Sequence, residues 1–210
     1  MTKKIRAVIF DLDGVLVDAT EWHYNALIRT LALFGYTITR YEHLTEYNGL
    51  PTRKKLEILS LTKGLPRGLH PLLNAVKQKY TRQEILQNCV PAFDKEYMIS
   101  RLRRDSYRLA VCSNSIRDSI QLMLEGSGIR GGFEFFISNE DVTHPKPDPQ
   151  MYRLALERMG VSPEEVVVVE DAEPGVQAAL AAGVHVCRVS GYQEVTYARV
   201  VDFIEKVETS

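Results

Sequence analysis

The chain has 210 residues, of which 45% are hydrophobic and 25% are charged, and its formal net charge at pH 7 is −1. These values match ordinary globular proteins, so they argue against a disordered or low-complexity chain. A nearly neutral charge balance gives no basis for binding a nucleic-acid backbone or an anionic membrane surface, and we expect neither as a partner.

The sequence shows no feature that would direct the chain out of the cytoplasm. The apolar run at 7–10 follows basic residues but is too short for an export signal, and no apolar stretch reaches the roughly 18 residues of a membrane span. The three cysteines, Cys89, Cys112 and Cys187, are odd in number and widely spaced, which argues against a disulfide framework. We therefore expect a cytoplasmic protein.

Short apolar runs predict five strands. They lie at 6–10, 107–112, 133–137, 166–169 and 184–189. Uninterrupted runs of this kind are typical of parallel strands that are buried on both faces. From about residue 91 onward the runs alternate with helical patterns, such as 174–182 before Gly183. This alternation predicts an α/β fold with a doubly wound, Rossmann-like sheet of five parallel strands.

The segment at 19–90 interrupts this alternation directly after the first strand. Apolar residues recur there at helical spacing, as in Trp22, Ala26 and Leu27, and no run resembles a strand. We therefore predict an all-helical cap domain at 19–90, inserted into an α/β core that consists of residues 1–18 and 91–210.

Acidic pairs follow two of the predicted strands. Asp11 and Asp13 can point to the same side, at the carboxyl edge where open α/β sheets bind ligands. Glu170 and Asp171 end a second strand. An Asx turn closed by Gly14, or a helix cap, would explain either pair alone. If the strands are neighbours, the carboxylates repel one another unless a cation is present, and Mg²⁺ best suits a few carboxylates beside a phosphate.

Two further segments place polar residues where an anion could bind. Ser113 and Asn114 follow the run at 107–112, just before a helical segment. They suit a helix cap, and the start of a helix also offers backbone N–H groups to an anion. Lys146 lies among the three prolines of 144–149, which stiffen the chain around it. The ordinary alternative for Lys146 is a solvated surface lysine.

Together these residues resemble the haloacid dehalogenase superfamily, and most closely its β-phosphoglucomutase-like and phosphoglycolate-phosphatase-like branch. The matching residues, in order, are Asp11-x-Asp13-Gly14, Ser113, Lys146-Pro147-Asp148 and Val169-Glu170-Asp171. The resemblance covers essentially the whole chain. It implies a Mg²⁺-dependent phosphatase that hydrolyses a small phosphorylated metabolite, of the sugar phosphate or phosphoglycolate type, through an aspartyl-phosphate.

The resemblance also implies the role of each matching residue. Asp11 is the nucleophile, and Asp13 gives a proton to the leaving oxygen, so its surroundings should favour the protonated form. Asp11, the backbone carbonyl of Asp13 and Asp171 bind Mg²⁺, with Glu170 acting through water. The transferring phosphoryl oxygens are held by Ser113, the backbone N–H of Asn114 and Lys146.

The predicted cap adds candidates for contacting the substrate. His23 matches a histidine often found in this branch, although a partly exposed helix residue explains it equally well. The loop at 47–53 resembles the branch's substrate-specificity loop. Gly49, Thr52 and Arg53 are therefore candidates for binding substrate, with Arg53 at its non-reacting end unless it is a simple surface arginine.

Other functions need weighing against a phosphatase. A phosphomutase of the β-phosphoglucomutase type uses the same core residues and is not separated from a phosphatase by this sequence. A non-catalytic phosphate-binding domain predicts the loss of one or more motifs, and all are present. Dehalogenases generally lack the second aspartate, here Asp13. Ala19, Ala172 and Ala92 replace residues common in the branch, so the identity of the substrate is not fixed by the resemblance.

We expect the protein to be a monomer or a weak dimer.

Overall fold

The computed structural model describes residues 5–209; the basic start of the chain, residues 1–4, lies outside them. All five predicted strands form. They are β1 (Ala7–Phe10), β2 (Arg108–Cys112), β3 (Phe135–Ile137), β4 (Val166–Glu170) and β5 (His185–Arg188). The sheet order is β3-β2-β1-β4-β5, and every pair of neighbours is parallel. The prediction of a doubly wound parallel sheet is confirmed.

Between β1 and β2, apart from an isolated bridge between Asp13 and Val17, the described chain forms helices and loops. Those of the insert are α1 (Thr20–Ala32), α2 (Arg40–Glu42), α3 (Thr52–Lys63) and α4 (His70–Asn88), and a π-helical turn (His43–Tyr47) follows α2. Three of these helices, α1, α3 and α4, share a small hydrophobic cluster that includes Leu27, Leu56 and Leu73. We propose that residues 19–90 form a cap domain with this cluster as its core.

Two groups of helices cover the sheet. After the insert come α5 (Phe93–Arg104), α6 (Arg117–Gly126), α7 (Gln150–Met159), α8 (Glu173–Ala181) and α9 (Tyr197–Thr209). One face of β1, with Val8 and Phe10, joins a core with residues of α5, α6 and α9. The other face, with Ala7 and Ile9, packs with residues of α7 and α8.

The buried strands explain why their carboxyl ends form the polar edge of the molecule. Every residue of β1 is buried, as its continuous apolar run predicts for a central strand. The chain passes from β1 outward to β3 and then returns to the other side of β1 with β4. This reversal opens a crevice between the two strand ends, which is where ligands bind in such sheets.

Within residues 5–209, no helix combines the length and apolar character needed to cross a membrane.

Candidate active site

The adjacency of β1 and β4 brings the two acidic pairs together. Phe10 stands opposite Val169, and the backbone N–H of Asp11 donates to the Val169 carbonyl oxygen at 3.0 Å. Asp11 is therefore placed beside Glu170, the last residue of β4. On the other side of β1, Phe10 stands opposite Val111, so Ser113 also emerges at this edge.

Lys146 reaches this edge from the loop before α7. Its Nζ donates to Asp11 Oδ1 at 2.8 Å, to the Cys112 carbonyl oxygen at 2.8 Å and to Glu170 Oε1. Burial alone would lower the pKa of Lys146, but the negative charges of Asp11 and Glu170 raise it well above its usual value. Lys146 is thus a buried cation that pairs with carboxylates, not a surface lysine.

Three carboxylates at this edge form a group suited to a metal ion. Ligand oxygens of Asp11, Glu170 and Asp171 lie within 4.8 Å of one another. Glu170 Oε2 and Asp171 Oδ1 are buried and have no hydrogen-bond partner, which is costly for charged oxygens. Burial and the charge of Glu170 raise the pKa of Asp11 well above its usual value and that of Asp171 to about 7. One lysine does not neutralise three carboxylates, so a divalent cation with oxygen ligands fits the residues present.

Glu170 is held rigidly on its inner side. The Tyr152 hydroxyl, on α7, donates to Glu170 Oε1 at 2.7 Å, and Lys146 donates to the same oxygen. Gly175, on α8, passes so close that a Cβ atom there would lie 1.8 Å from Glu170 Oε1. These contacts fix the carboxylate with Oε2 left unpaired.

Asp13 faces away from this group and toward the insert. Its Oδ1 accepts from His23 Nε2 at 2.7 Å, and its Oδ2 accepts from the Ser115 and Ser113 hydroxyls at 2.8 and 3.1 Å. Burial would raise the pKa of Asp13, but its interaction with His23 and the hydrogen bonds from the two serine hydroxyls lower it below its usual value. The expectation that its surroundings favour protonated Asp13 is therefore wrong, because these donors stabilise the carboxylate.

His23 is itself held from behind by a lysine of α4. The Lys77 ammonium donates to His23 Nδ1 at 3.0 Å, which leaves the proton on Nε2, toward Asp13. Burial and the charge of Lys77 lower the pKa of His23. The His23–Asp13 pair therefore carries its shared proton on the imidazole, and the histidine is not an exposed helix residue.

The loop before α3 rests directly on the core. The Asn114 side-chain amide donates to the Gly49 carbonyl oxygen at 2.9 Å and to the Lys146 carbonyl oxygen at 3.1 Å. Gly49 has a φ of +72°, and a Cβ atom there would lie 2.8 Å from the Ala172 Cβ. Asn114, which follows β2, thus connects the insert to the loop that carries Lys146 through hydrogen bonds to both.

A cavity of about 300 Å³ lies between the insert and the sheet edge. A volume at the lower end of the range for ligand pockets suits a small molecule. The predicted site residues that border it are Asp11, Asp13, His23, Gly49, Thr52, Arg53, Ser113, Asn114, Lys146 and Glu170. Asp171 instead borders an adjoining cavity. Arg53 is exposed, whereas Thr52 is buried. Sequence reasoning missed Ser115, Tyr152 and the buried lysines Lys55 and Lys77.

The parallel sheet, the helical insert after its first strand and the carboxylate–lysine group beneath a small cavity define an α/β enzyme with an inserted helical segment. The chain belongs to the haloacid dehalogenase-like hydrolase family, whose model matches residues 8–189. The recognition of this superfamily from the sequence is confirmed.

The names of two relatives describe phosphatase activity. The chain is 32% identical over 182 residues to a phosphorylated carbohydrates phosphatase of Thermotoga maritima, with 86% of this chain and 82% of that one covered. It is 29% identical over 190 residues to the pyrophosphatase PpaX of Bacillus velezensis, with coverages of 86% and 81%. The chain is therefore a hydrolase of the phosphatase type.

The fold is also similar to that of solved structures. A β-phosphoglucomutase from Clostridium difficile superposes with a TM-score of 0.85, at 18% identity, with 98% of this chain and 100% of that chain covered. At this level of identity the similarity shows the shared fold alone.

Proposed function

We propose that the protein is a Mg²⁺-dependent phosphatase that hydrolyses a small phosphorylated metabolite, such as a sugar phosphate or phosphoglycolate, through an aspartyl-phosphate. The observation that carries this proposal is the placement of Asp11 on the cavity wall, with Oδ1 paired with Lys146 at 2.8 Å. This pairing orients the carboxylate and leaves Oδ2 to act as the nucleophile. Hydrolysis of phosphate monoesters has very high barriers, and a covalent intermediate divides the reaction into two easier steps.

The proposed metal ligands are Asp11, Glu170 and Asp171, together with the backbone carbonyl of Asp13. The two buried oxygens that lack partners, on Glu170 and Asp171, support this assignment. When bound, Mg²⁺ supplies positive charge that offsets the charge of the transferring phosphoryl group. Tyr152 and Lys146 hold Glu170 Oε1, so Oε2 is the oxygen left to bind the ion.

In the first step, Asp11 attacks the phosphorus, and the bond from phosphorus to the leaving oxygen breaks as the Asp11–phosphoryl bond forms. The leaving oxygen needs a proton, and we propose that Asp13 passes on one that it receives from His23 Nε2, 2.7 Å away, while the Lys77 ammonium replaces the proton of the imidazole through Nδ1. In the second step, a proton passes from water to Asp13 and back along the same path to Lys77 as the water oxygen attacks phosphorus. Inorganic phosphate leaves, and the Asp11 carboxylate is restored.

The phosphoryl oxygens would be held by the backbone N–H of Asn114 and by the Ser113 hydroxyl, which border the cavity; the hydroxyl must first give up its hydrogen bond to Asp13 Oδ2. All three N–H bonds of Lys146 are used by Asp11, Glu170 and the Cys112 carbonyl. We therefore propose that Lys146 first orients the two carboxylates and contacts a phosphoryl oxygen only after giving up one of these bonds.

Phosphate release tests the proposal. We expect an aryl phosphate and a panel of sugar phosphates and phosphoglycolate to release phosphate in the presence of Mg²⁺, and a chelator to stop the release. Asp11→Asn should abolish turnover, whereas the control Asp18→Asn, at an exposed position nearby, should retain it. No turnover across the panel, or unchanged turnover by Asp11→Asn, contradicts the proposal. Isomerised product in place of phosphate, from a hexose 1-phosphate supplied with its bisphosphate, would indicate a phosphomutase.

A further inference from the structure

The two walls of the cavity differ in charge. Each carboxylate residue that borders it, among the residues described, belongs to the core: Asp11, Asp13, Glu140 and Glu170. The insert contributes Arg53, Lys55 and Lys77 to the opposite wall, and no acidic residue among those described. A phosphoryl group bound at Asp11 would therefore point the remainder of the substrate toward a wall rich in positive charge.

Lys55 is the unusual member of this wall. Its relative exposure is only 5%, the same as that of Lys77. Lys77 donates to His23 Nδ1 and Lys146 donates to three acceptors. Within residues 5–209, by contrast, the structure shows no hydrogen bond or ion pair of the Lys55 ammonium. Burial lowers the pKa of Lys55 to about 8, and the negative charge of Asp13 offsets only part of this effect, as expected for a largely buried cation without a hydrogen-bond partner.

The position of Lys55 in the fold holds it at the cavity. It lies in the first turn of α3, directly after the loop that Asn114 fixes to the core through the Gly49 carbonyl. The same cavity is also bordered by Asn74 and Gln78, on α4. A cavity that holds an ammonium without a hydrogen-bond partner and neutral amide groups is suited to bind an anion, because each amide can also donate a hydrogen bond.

We propose that Lys55 is a specificity-determining residue that binds a second anionic group on the substrate, a carboxylate or a second phosphate, at the end remote from the transferring phosphoryl group. This inference rests on the proposed phosphatase function, because that function places the transferring phosphoryl group at Asp11. The partner that Lys55 lacks in the free protein is then supplied by the substrate.

Three substrates with the same two-carbon skeleton test the inference. Ethylene glycol monophosphate ends in a neutral hydroxyl, phosphoglycolate in a carboxylate and ethylene glycol bisphosphate in a second phosphate. We expect the wild-type protein to have a higher kcat/KM for at least one anionic substrate than for the neutral one. Lys55→Met should lower kcat/KM for that anionic substrate by about 10- to 100-fold, mainly through KM, and for the neutral one by less than about threefold.

Two further variants separate recognition from a structural effect. Lys55→Arg keeps a cation at the same position and should restore part of the lost kcat/KM for the anionic substrate. Lys54→Met removes an exposed lysine from the neighbouring position of α3 and should change none of the three values. The substrate that responds most strongly to Lys55→Met identifies the anion, either carboxylate or phosphate.

The outcomes separate this inference from the proposed function. If the wild-type protein releases phosphate from none of these substrates nor from the wider panel, the proposed phosphatase function fails. If it releases phosphate but Lys55→Met affects the neutral and anionic substrates equally, or affects none of them, the phosphatase function stands and the role of Lys55 is wrong.

Discussion

His23, in the first turn of α1, places its Nε2 atom 2.7 Å from Oδ1 of Asp13, which follows β1. A residue of the insert thereby donates a hydrogen bond to an acid of the core. The proposed acid–base group therefore draws on both parts of the chain, and the insert is needed to complete it.

Substitution of His23 tests its role in this group. His23→Gln removes the imidazole proton next to Asp13, so we expect kcat to fall by about 10²-fold, the lower end of the usual effect of general acid–base groups. His70→Gln, which alters a histidine of the insert that contacts Ser60 and is not among the residues bordering the cavity, should leave kcat unchanged. Equal kcat for His23→Gln and wild type in steady-state assays would exclude the proposed role of the pair.

The hydroxyl of Tyr152 gives a prediction about metal binding. Tyr152→Phe removes one of the two donors to Glu170 Oε1, so the carboxylate is held less firmly. Because groups that orient metal ligands typically change metal affinity by about 10- to 100-fold, we expect a loss of this size in Mg²⁺ affinity. Calorimetric titration with Mg²⁺ measures it without an activity assay. Tyr36→Phe, whose hydroxyl contacts the Gly64 carbonyl in the insert, is the control. Equal affinities of Tyr152→Phe and wild type would contradict the prediction.

Gly175 is expected to tolerate no side chain. A Cβ atom would lie 1.8 Å from Glu170 Oε1, so Gly175→Ala must displace the carboxylate or shift α8. We expect a loss of about 1–3 kcal/mol in the free energy of unfolding, as for other overpacked sites, together with weaker Mg²⁺ binding. Gly68→Ala, where a Cβ atom meets nothing within 4 Å, should be close to neutral. Urea unfolding of both variants checks this, and similar stabilities would show that the close approach is not a real constraint.

Lys55 should reduce stability at neutral pH. Its pKa is about 8 in the folded protein and close to the ordinary lysine value of 10.5 in the unfolded chain, so the unfolded state binds more protons between these pH values. Stability contributed by this position therefore rises with pH across that window. Below pH 8, Lys55→Met should raise the free energy of unfolding by on the order of 3 kcal/mol.

Above about pH 10.5 the advantage of Lys55→Met should disappear, because the lysine is then neutral in both states. Urea unfolding at neutral and at high pH measures the difference, with Lys54→Met as the matched exposed variant. A stability gain independent of pH would mean that packing, and not the buried charge, is responsible.

The strands and the acidic edge were predictable because each depends on local sequence. The apolar run before Asp11 and the one before Glu170 form buried strands, and polar residues must follow where such strands end. The order of the strands is a tertiary property. The proximity of Asp11 to Glu170 depends on β4 pairing with β1, which no local pattern specifies.

The buried lysines of the insert show a second limit of prediction from the sequence. Leu73, Lys77, Thr81 and Ile85 are the buried residues of α4 and recur every four positions, so Lys77 stands within the apolar stripe of its helix. Lys55 likewise stands among the buried residues of α3. A lysine among the apolar residues of a helix can be recognised in the sequence as a candidate buried charge. What it contacts depends on how the insert lies on the core, and this is also why the low pKa of Asp13 could not be foreseen.

Trapping of the proposed intermediate tests the central claim most directly. We predict that acid quenching of the protein during turnover with Mg²⁺, followed by proteolysis and mass spectrometry, finds a phosphoryl group on the peptide that contains Asp11, and that Asp11→Asn carries none. Efficient phosphate release by a protein whose Asp11 peptide is never phosphorylated, at any quench time or on rapid mixing, would contradict the account.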